Sequence, residues 1–261
     1  MRLKIKNHWL VFIFAFILGL FILLPFFYFQ YSLGQNFKGI YPEFANDELF
    51  YMSRIQDVID GHPLLSNAYL YEHKSGQPQQ LFFAEFILAQ PLKLLHIKTT
   101  IGHLIYNFVL AFIIFILTYS VFYLLIRKRF WSLWLAIFLL FGLFLFKIFR
   151  PVSPQFNFIF FISQFLFLYL LVSGHPRQKP FLLLSAFNLG FLFYIYPYYW
   201  TFYLIFLGLL FLAYLFYDRK LATKIFLVIV IGLGFGSYYI YYTYQASLRL
   251  DYTDTMLRLG M

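Results

Sequence analysis

The strongest constraint on the fold is a series of apolar runs, each long enough to cross a bilayer as a helix. They lie at roughly 9–29, 101–126, 131–149, 156–173, 181–197, 199–217 and 222–242. Because 62% of the residues are hydrophobic and only 11% are charged, a soluble domain could not cover this much apolar surface. Barrel strands would instead alternate over about 10 residues. The sequence therefore predicts an all-α integral membrane protein with about seven transmembrane helices, in a single membrane domain over 1–261.

The connections between these runs alternate in charge. The N-terminus and the turns after the second, fourth and sixth runs hold eleven basic residues and one acid, Asp218. The other connections are neutral, so the formal net charge of +10 lies on one side. By the positive-inside rule the N-terminus is cytoplasmic and residues 30–100 form an extracytoplasmic loop, most simply at the plasma membrane. Positive charge spread over short turns orients helices, and we predict no nucleic-acid binding.

The two ends of the chain and its cysteine content set further expectations. The first run is about 20 residues, longer than the 7–15 of a signal peptide, and no small-residue cleavage site follows it, so we predict a retained helix. Residues 243–261 read as the start of a further external segment, which fits either a natural end or a truncation. With no cysteine, disulfides and thiolate metal sites are excluded.

The first loop holds seven of the ten acidic residues and one predicted helix, 49–60. At about 100° per residue the apolar side chains share one arc: Tyr51, Met52, Ile55, Val58 and Ile59. The opposite face is polar: Ser53, Arg54, Gln56, Asp57 and Asp60. Gly61 and Pro63 are typical of a helix C-terminus. We expect this amphipathic helix to lie in the membrane interface with its apolar side down.

Asp47 and Glu48 stand at the start of this helix. Acids there cap a helix and complement its dipole, which is a sufficient structural explanation for an arbitrary helix. In helical phase, however, Asp47 falls at the border of the apolar arc and Glu48 falls inside it, so the two cannot reach one atom. A carboxylate held at the water–lipid boundary could also take a proton from an acceptor hydroxyl.

The stretch NDELFYMSRIQDVIDGHPLLSNAYLYEH at 46–73 resembles the first loop of the GT-C glycosyltransferases, and FRPVSPQF at 149–156 and YIYPYYW at 194–200 are similar to turns of bacterial members. These enzymes take a sugar from a polyprenyl-phosphate carrier. The resemblance covers the whole chain as an N-terminal portion. It implies that Asp47 is the general base, that Glu48 is the second acid, and that the displacement is inverting.

The resemblance also implies a cation for the lipid phosphate. Arg150 is the best match, since its planar fork of donors suits phosphate better than an ammonium group does, although an interfacial anchor would look the same. Further substrate contacts are expected among Arg54, His62, Glu72 and His73. We predict neither a metal nor a cofactor, because Glu72-His73 lacks a second histidine at helical spacing. The donor's lipid carrier and an acceptor, whether protein, lipid or glycan, are the expected partners.

Polar and small residues inside the runs indicate helix packing. His103 and Asn107 are one turn apart, and we expect them to cross-link helices. A close approach between two helices is predicted at Gly232, Gly234 and Gly236, rather than a nucleotide-binding loop. A lipid or solute transporter and a non-catalytic scaffold stay open as alternatives to the enzyme.

Overall fold

The structure, a computed structural model, describes residues 8–42, 47–65, 82–143, 150–176 and 178–247. Its α-helices are α1 Trp9–Leu33, α2 Glu48–Ile59, α3 Phe83–Leu94, α4 Thr99–Ile126, α5 Arg129–Ile137, α6 Asn157–Val172, α7 Gln178–Leu192, α8 Pro197–Tyr217 and α9 Arg219–Ser247. A 3-10 turn, Gly34–Asn36, follows α1, and a π-helical segment, Phe138–Leu143, extends α5. The segment Pro151–Phe156 precedes α6 and is kinked at Ser153, whose backbone is extended with φ −140° and ψ 118°. These residues contain no strand, so the predicted all-α class is confirmed.

Within the residues that the structure describes, five helical segments are long and apolar enough to cross a membrane, as expected of an integral membrane protein. They are Trp9–Asn36, Thr99–Ile126, Pro151–Val172, Pro197–Tyr217 and Arg219–Gln245. The apolar segment Arg129–Gly142 and the 15-residue α7 are shorter, so the count of seven stays a prediction.

The predicted end of the fifth run, at 197, is wrong. The helix stops at Leu192, and Tyr196 is extended with φ −155° and ψ 122°. The residue before a proline disfavours helical geometry, and Pro197 then begins α8. The turn stays apolar across this break, which is why hydropathy did not reveal it.

The chain divides into two compact units, Met1–Ile59 with Ile87–Ile162, and Asp60–Phe86 with Ser163–Met261. In the first unit α1 and α4 run antiparallel, because His8 meets Tyr119 near one end and Phe26 meets His103 near the other. Their shared core includes Ala15, Leu18, Ile22, Ala111, Ile114 and Phe115. The start of α1 and the end of α4 thus lie at one end of the unit, and the ends nearest α2 lie at the other.

In the second unit α7 and α9 run parallel and approach closely at glycines. A Cβ on Gly190 would lie 2.5 Å from Cβ of Phe235, and one on Gly232 would lie 2.6 Å from Cδ2 of Leu189. A Cβ on Gly236 would lie 2.6 Å from Cδ2 of Phe193, the residue after the end of α7, whereas a Cβ on Gly234 would meet nothing within 4 Å. The predicted close approach is confirmed, with Gly232 and Gly236, four residues apart, forming the contact.

Polar side chains cross-link α6 and α7 in the same unit. Gln164 Nε2 donates to Ser185 Oγ at 2.8 Å, and Asn188 Nδ2 donates to Gln164 Oε1 at 2.8 Å. All three residues are buried, so each bond replaces water that the apolar surroundings exclude.

The helix predicted at 49–60 is α2, at Glu48–Ile59, and Gly61 closes it with φ +102°, a conformation that glycine adopts without strain. The exposure predicted for its polar face is wrong for Arg54 and Asp57, which are both buried. The Arg54 guanidinium lies 5.3 Å from the Phe50 ring centroid, a cation–π contact that partly compensates for lost water. Gln56 meanwhile accepts a hydrogen bond from Thr99 of α4. α2 is therefore held by the protein on its polar side as well.

Candidate functional site

Asp47 and Arg150 form an ion pair at the edge of the first unit. Arg150 Nη1 donates to Asp47 Oδ2 at 3.0 Å, across 103 positions of sequence. The Asp47 side chain is 61% exposed and that of Arg150 is 29% exposed, so both groups remain open to solvent and to a ligand. Within the described residues the contact of the Asp47 carboxylate is this guanidinium rather than the amides of the first turn of α2.

Local backbone geometry sets where each member of the pair stands. Asp47 immediately precedes α2, and its carbonyl accepts the first helical bond, from the Tyr51 amide at 3.1 Å. Arg150 is extended, with φ −111° and ψ 117°, immediately before Pro151, as expected for the residue preceding a proline. The Arg150 carbonyl accepts from the Gln155 amide at 3.2 Å, which ties it to the segment Pro151–Phe156.

Behind the exposed pair lies a buried carboxylate and imidazole. Glu48, only 3% exposed, places Oε1 2.5 Å from Nε2 of His103 in α4. The Phe26 ring of α1 packs edge-to-face against the imidazole, with the two ring centroids 5.7 Å apart. As predicted from their helical phase, Asp47 and Glu48 point at different partners.

The buried polar contacts continue along α4. His103 Nε2 is 2.9 Å from Asn107 Nδ2, and Asn107 Oδ1 accepts from Gln155 Nε2 at 2.9 Å. A ring nitrogen carries either a hydrogen or a lone pair. Nε2 of His103 therefore either donates to the Glu48 carboxylate or accepts from the Asn107 side-chain amide, but does not do both at once. We call Glu48, His103, Asn107 and Gln155 the buried polar chain. The predicted cross-linking role of His103 and Asn107 is confirmed.

A cavity of about 10 Å³, roughly the volume that one water molecule needs, is lined by Glu48 and His103 of the buried polar chain and by Arg150 of the ion pair. Its lining is mostly apolar apart from Glu48, Thr99, His103, Tyr106 and Arg150. A sugar cannot enter a space of this size.

The other residues predicted to contact substrate are Arg54, His62, Glu72 and His73. Arg54 is buried in α2 beside Phe50. His62 is half-buried in the turn after α2, where its carbonyl accepts from the Leu65 amide at 3.3 Å. Glu72 and His73 lie outside the described residues. No group of three or more potential metal-ligating side chains occurs in the part of the chain that the structure describes.

The sequence reasoning missed the part that Gln155 plays. Gln155 lies in FRPVSPQF, which was noted for its similarity to turns of GT-C members and for Arg150, and a single glutamine near a helix start gives no signal of its partner. The missed helix α3, Phe83–Leu94, had a weak signal, because FFAEFILAQPLKL is apolar but interrupted by Pro91. Tyr106 of α4 donates to the Leu88 carbonyl, which holds α3 against this region.

Comparison with known proteins adds no relative, since no protein-family model, curated protein or solved structure matches the chain.

Proposed function

We propose that the protein is a GT-C-like glycosyltransferase that moves a sugar from a polyprenyl-phosphate carrier to an acceptor at the extracytoplasmic membrane face. The observation that carries this proposal is the contact of an exposed carboxylate, Asp47, with a partly exposed guanidinium, Arg150, in a helical membrane protein. One group can accept a proton and the other can bind a phosphate.

In the proposed reaction the acceptor hydroxyl attacks the anomeric carbon of the donor. The new glycosidic C–O bond forms as the bond from that carbon to the phosphate oxygen breaks, with inversion, and polyprenyl phosphate leaves with the bonding electrons. Asp47 takes the hydroxyl proton, as general-base catalysis requires. This step uses no metal or cofactor, and its partners are the lipid carrier and the acceptor.

Arg150 suits the second role because a guanidinium has five N–H donors. It can keep Asp47 on one edge and receive a phosphate oxygen on another, which brings the base and the leaving group to one side chain. A phosphate would also compete with the carboxylate for this cation and so loosen the ion pair when the donor arrives. Arginine binds phosphate with planar, paired hydrogen bonds that a lysine cannot reproduce.

The finer topology belongs to the same proposal: seven transmembrane helices, a cytoplasmic N-terminus, and residues 30–100 outside the cytoplasm at the plasma membrane. The antiparallel arrangement of α1 and α4 supports it. It brings the start of α1 and the basic turn Arg127–Arg129 to one end of the unit, as the positive-inside rule requires. The ion pair then belongs to the opposite, extracytoplasmic end.

Replacing Arg150 with glutamine should weaken donor binding. We expect KM for a polyprenyl-phosphate sugar to rise about tenfold, since a charge-assisted hydrogen bond is worth about 1.5–3 kcal/mol. Initial rates of sugar transfer over a range of donor concentrations measure it. The matched control is Lys93→Gln, which removes an equal charge from an exposed position of α3 and should leave KM within about twofold.

Equal KM values for the two variants would remove the phosphate role from Arg150. Two other classes of protein remain as outcomes of the same assay. Movement of a lipid or solute without bond cleavage would identify a transporter. A parent protein that neither transfers sugar nor moves a lipid or solute would be a scaffold.

A further inference from the structure

The buried polar chain ends beside both members of the exposed ion pair. Glu48 directly follows Asp47, so their Cα atoms are about 3.8 Å apart. A contact that fixes the position of Glu48 therefore also restricts the position of Asp47. The backbone N–H of Gln155 donates to the Arg150 carbonyl at 3.2 Å. The two segments that carry the exposed charges are therefore both fastened to one turn of α4, at His103 and Asn107.

These fastenings are stiff because they are buried. Asn107 and Gln155 have no exposed surface, and Glu48 and His103 are 3% and 6% exposed. A polar group in such a place gains no water if its protein partner leaves, so breaking any one contact is costly. The exposed pair by itself gives little rigidity, because solvent-exposed ion pairs contribute little.

We propose that Glu48 and His103 are positioning residues, which hold Asp47 and Arg150 at the separation that sugar transfer requires. This inference rests on the proposed function. Glu48 fixes the start of α2 against His103 of α4, and Asn107, one turn further along the same helix, accepts the hydrogen bond from Gln155 in the segment that bears Arg150. Glu48 is then not a second base, because its carboxylate faces His103 and not the exposed edge.

The test uses conservative replacements that keep hydrogen-bonding groups in the interior: Glu48→Gln, His103→Gln and the double variant, each in the full chain in lipid nanodiscs. We expect kcat per folded molecule to fall about tenfold in each single variant, since a misplacement of about 1 Å costs up to a hundredfold. The kcat of the double variant should be no lower than that of the less active single variant, because the two residues act as a unit.

A second readout does not depend on activity. The chain has no native cysteine, so spin labels can be attached at Leu49→Cys in α2 and Ser153→Cys in the segment after Arg150. We expect the spin–spin broadening between the labels to become weaker or more heterogeneous in the Glu48 and His103 variants. Gln164→Leu is the control, because it disrupts the buried α6–α7 bonds and should lower thermal stability without changing this spectrum or kcat per folded molecule.

The outcomes separate this inference from the proposed function. If the parent chain transfers sugar and the variants keep both its kcat and its spectrum, the positioning role is wrong and the enzyme assignment stands. If the parent transfers no sugar but the spectra change as expected, the enzyme assignment fails and the anchoring of the two segments stands. A lower yield of folded protein with unchanged kcat and spectrum would also overturn the positioning role.

Discussion

Asp47→Asn should lower kcat for sugar transfer by about a thousandfold, since general-base catalysis contributes about 10²–10⁴. Asparagine has the same shape, caps a helix as well as aspartate does, and can still accept a hydrogen bond from Arg150, but it cannot take a proton. The variant should fold normally, because an exposed ion pair contributes at most about 1 kcal/mol. The measurement is turnover at saturating donor, normalised to folded protein.

Asp60→Asn is the matched control. It removes the same charge from an exposed residue just past the other end of α2, and its kcat should stay within about twofold of the parent. Full turnover by Asp47→Asn would end the assignment of a base to this residue and would return it to the ordinary role of an acid at a helix start.

Gly190→Ala should destabilise the second unit by about 1–3 kcal/mol. The added Cβ would lie 2.5 Å from Cβ of Phe235, an atom fixed by its own backbone, so α7 and α9 would have to move apart. The gain in helix propensity from glycine to alanine, up to about 1 kcal/mol, does not offset this. Thermal unfolding in a fixed lipid or detergent measures the loss.

Gly234→Ala provides the comparison within α9, since its Cβ would meet no atom within 4 Å. It should leave stability unchanged or raise it slightly. If the two substitutions had equal effects, the close approach of α7 and α9 would not be a determinant of stability.

The sequence predicted the helices well and the site only in part. Long apolar runs specify helices in a membrane because every backbone group must find its partner within the segment. α2 was predicted to within one residue, because Gly61 and Pro63 mark its end by local backbone chemistry. The same local reasoning could not detect the break after Leu192, where the apolar pattern continues through a turn.

The polar face of α2 illustrates why sequence pattern alone is insufficient. Arg54 and Asp57 were expected to face water because they are charged and opposite the apolar arc. Both are buried, and a helical wheel cannot tell a neighbouring helix from solvent. Asp47 and Arg150 were each proposed from local features, but only the tertiary structure brings together two residues 103 positions apart.

The parallel packing of α7 and α9 has a consequence for the order of assembly during synthesis. Ser185 and Asn188 of α7 can bind Gln164 of α6 as soon as α7 has been made, since both helices then exist. The contact between Gly190 and α9 must wait until α8 has returned the chain across the bilayer. The hydrogen-bonded α6–α7 hairpin thus supplies a preformed template, which α9 joins through the close glycine contacts and the hydrogen bond from Lys224 to Gln178.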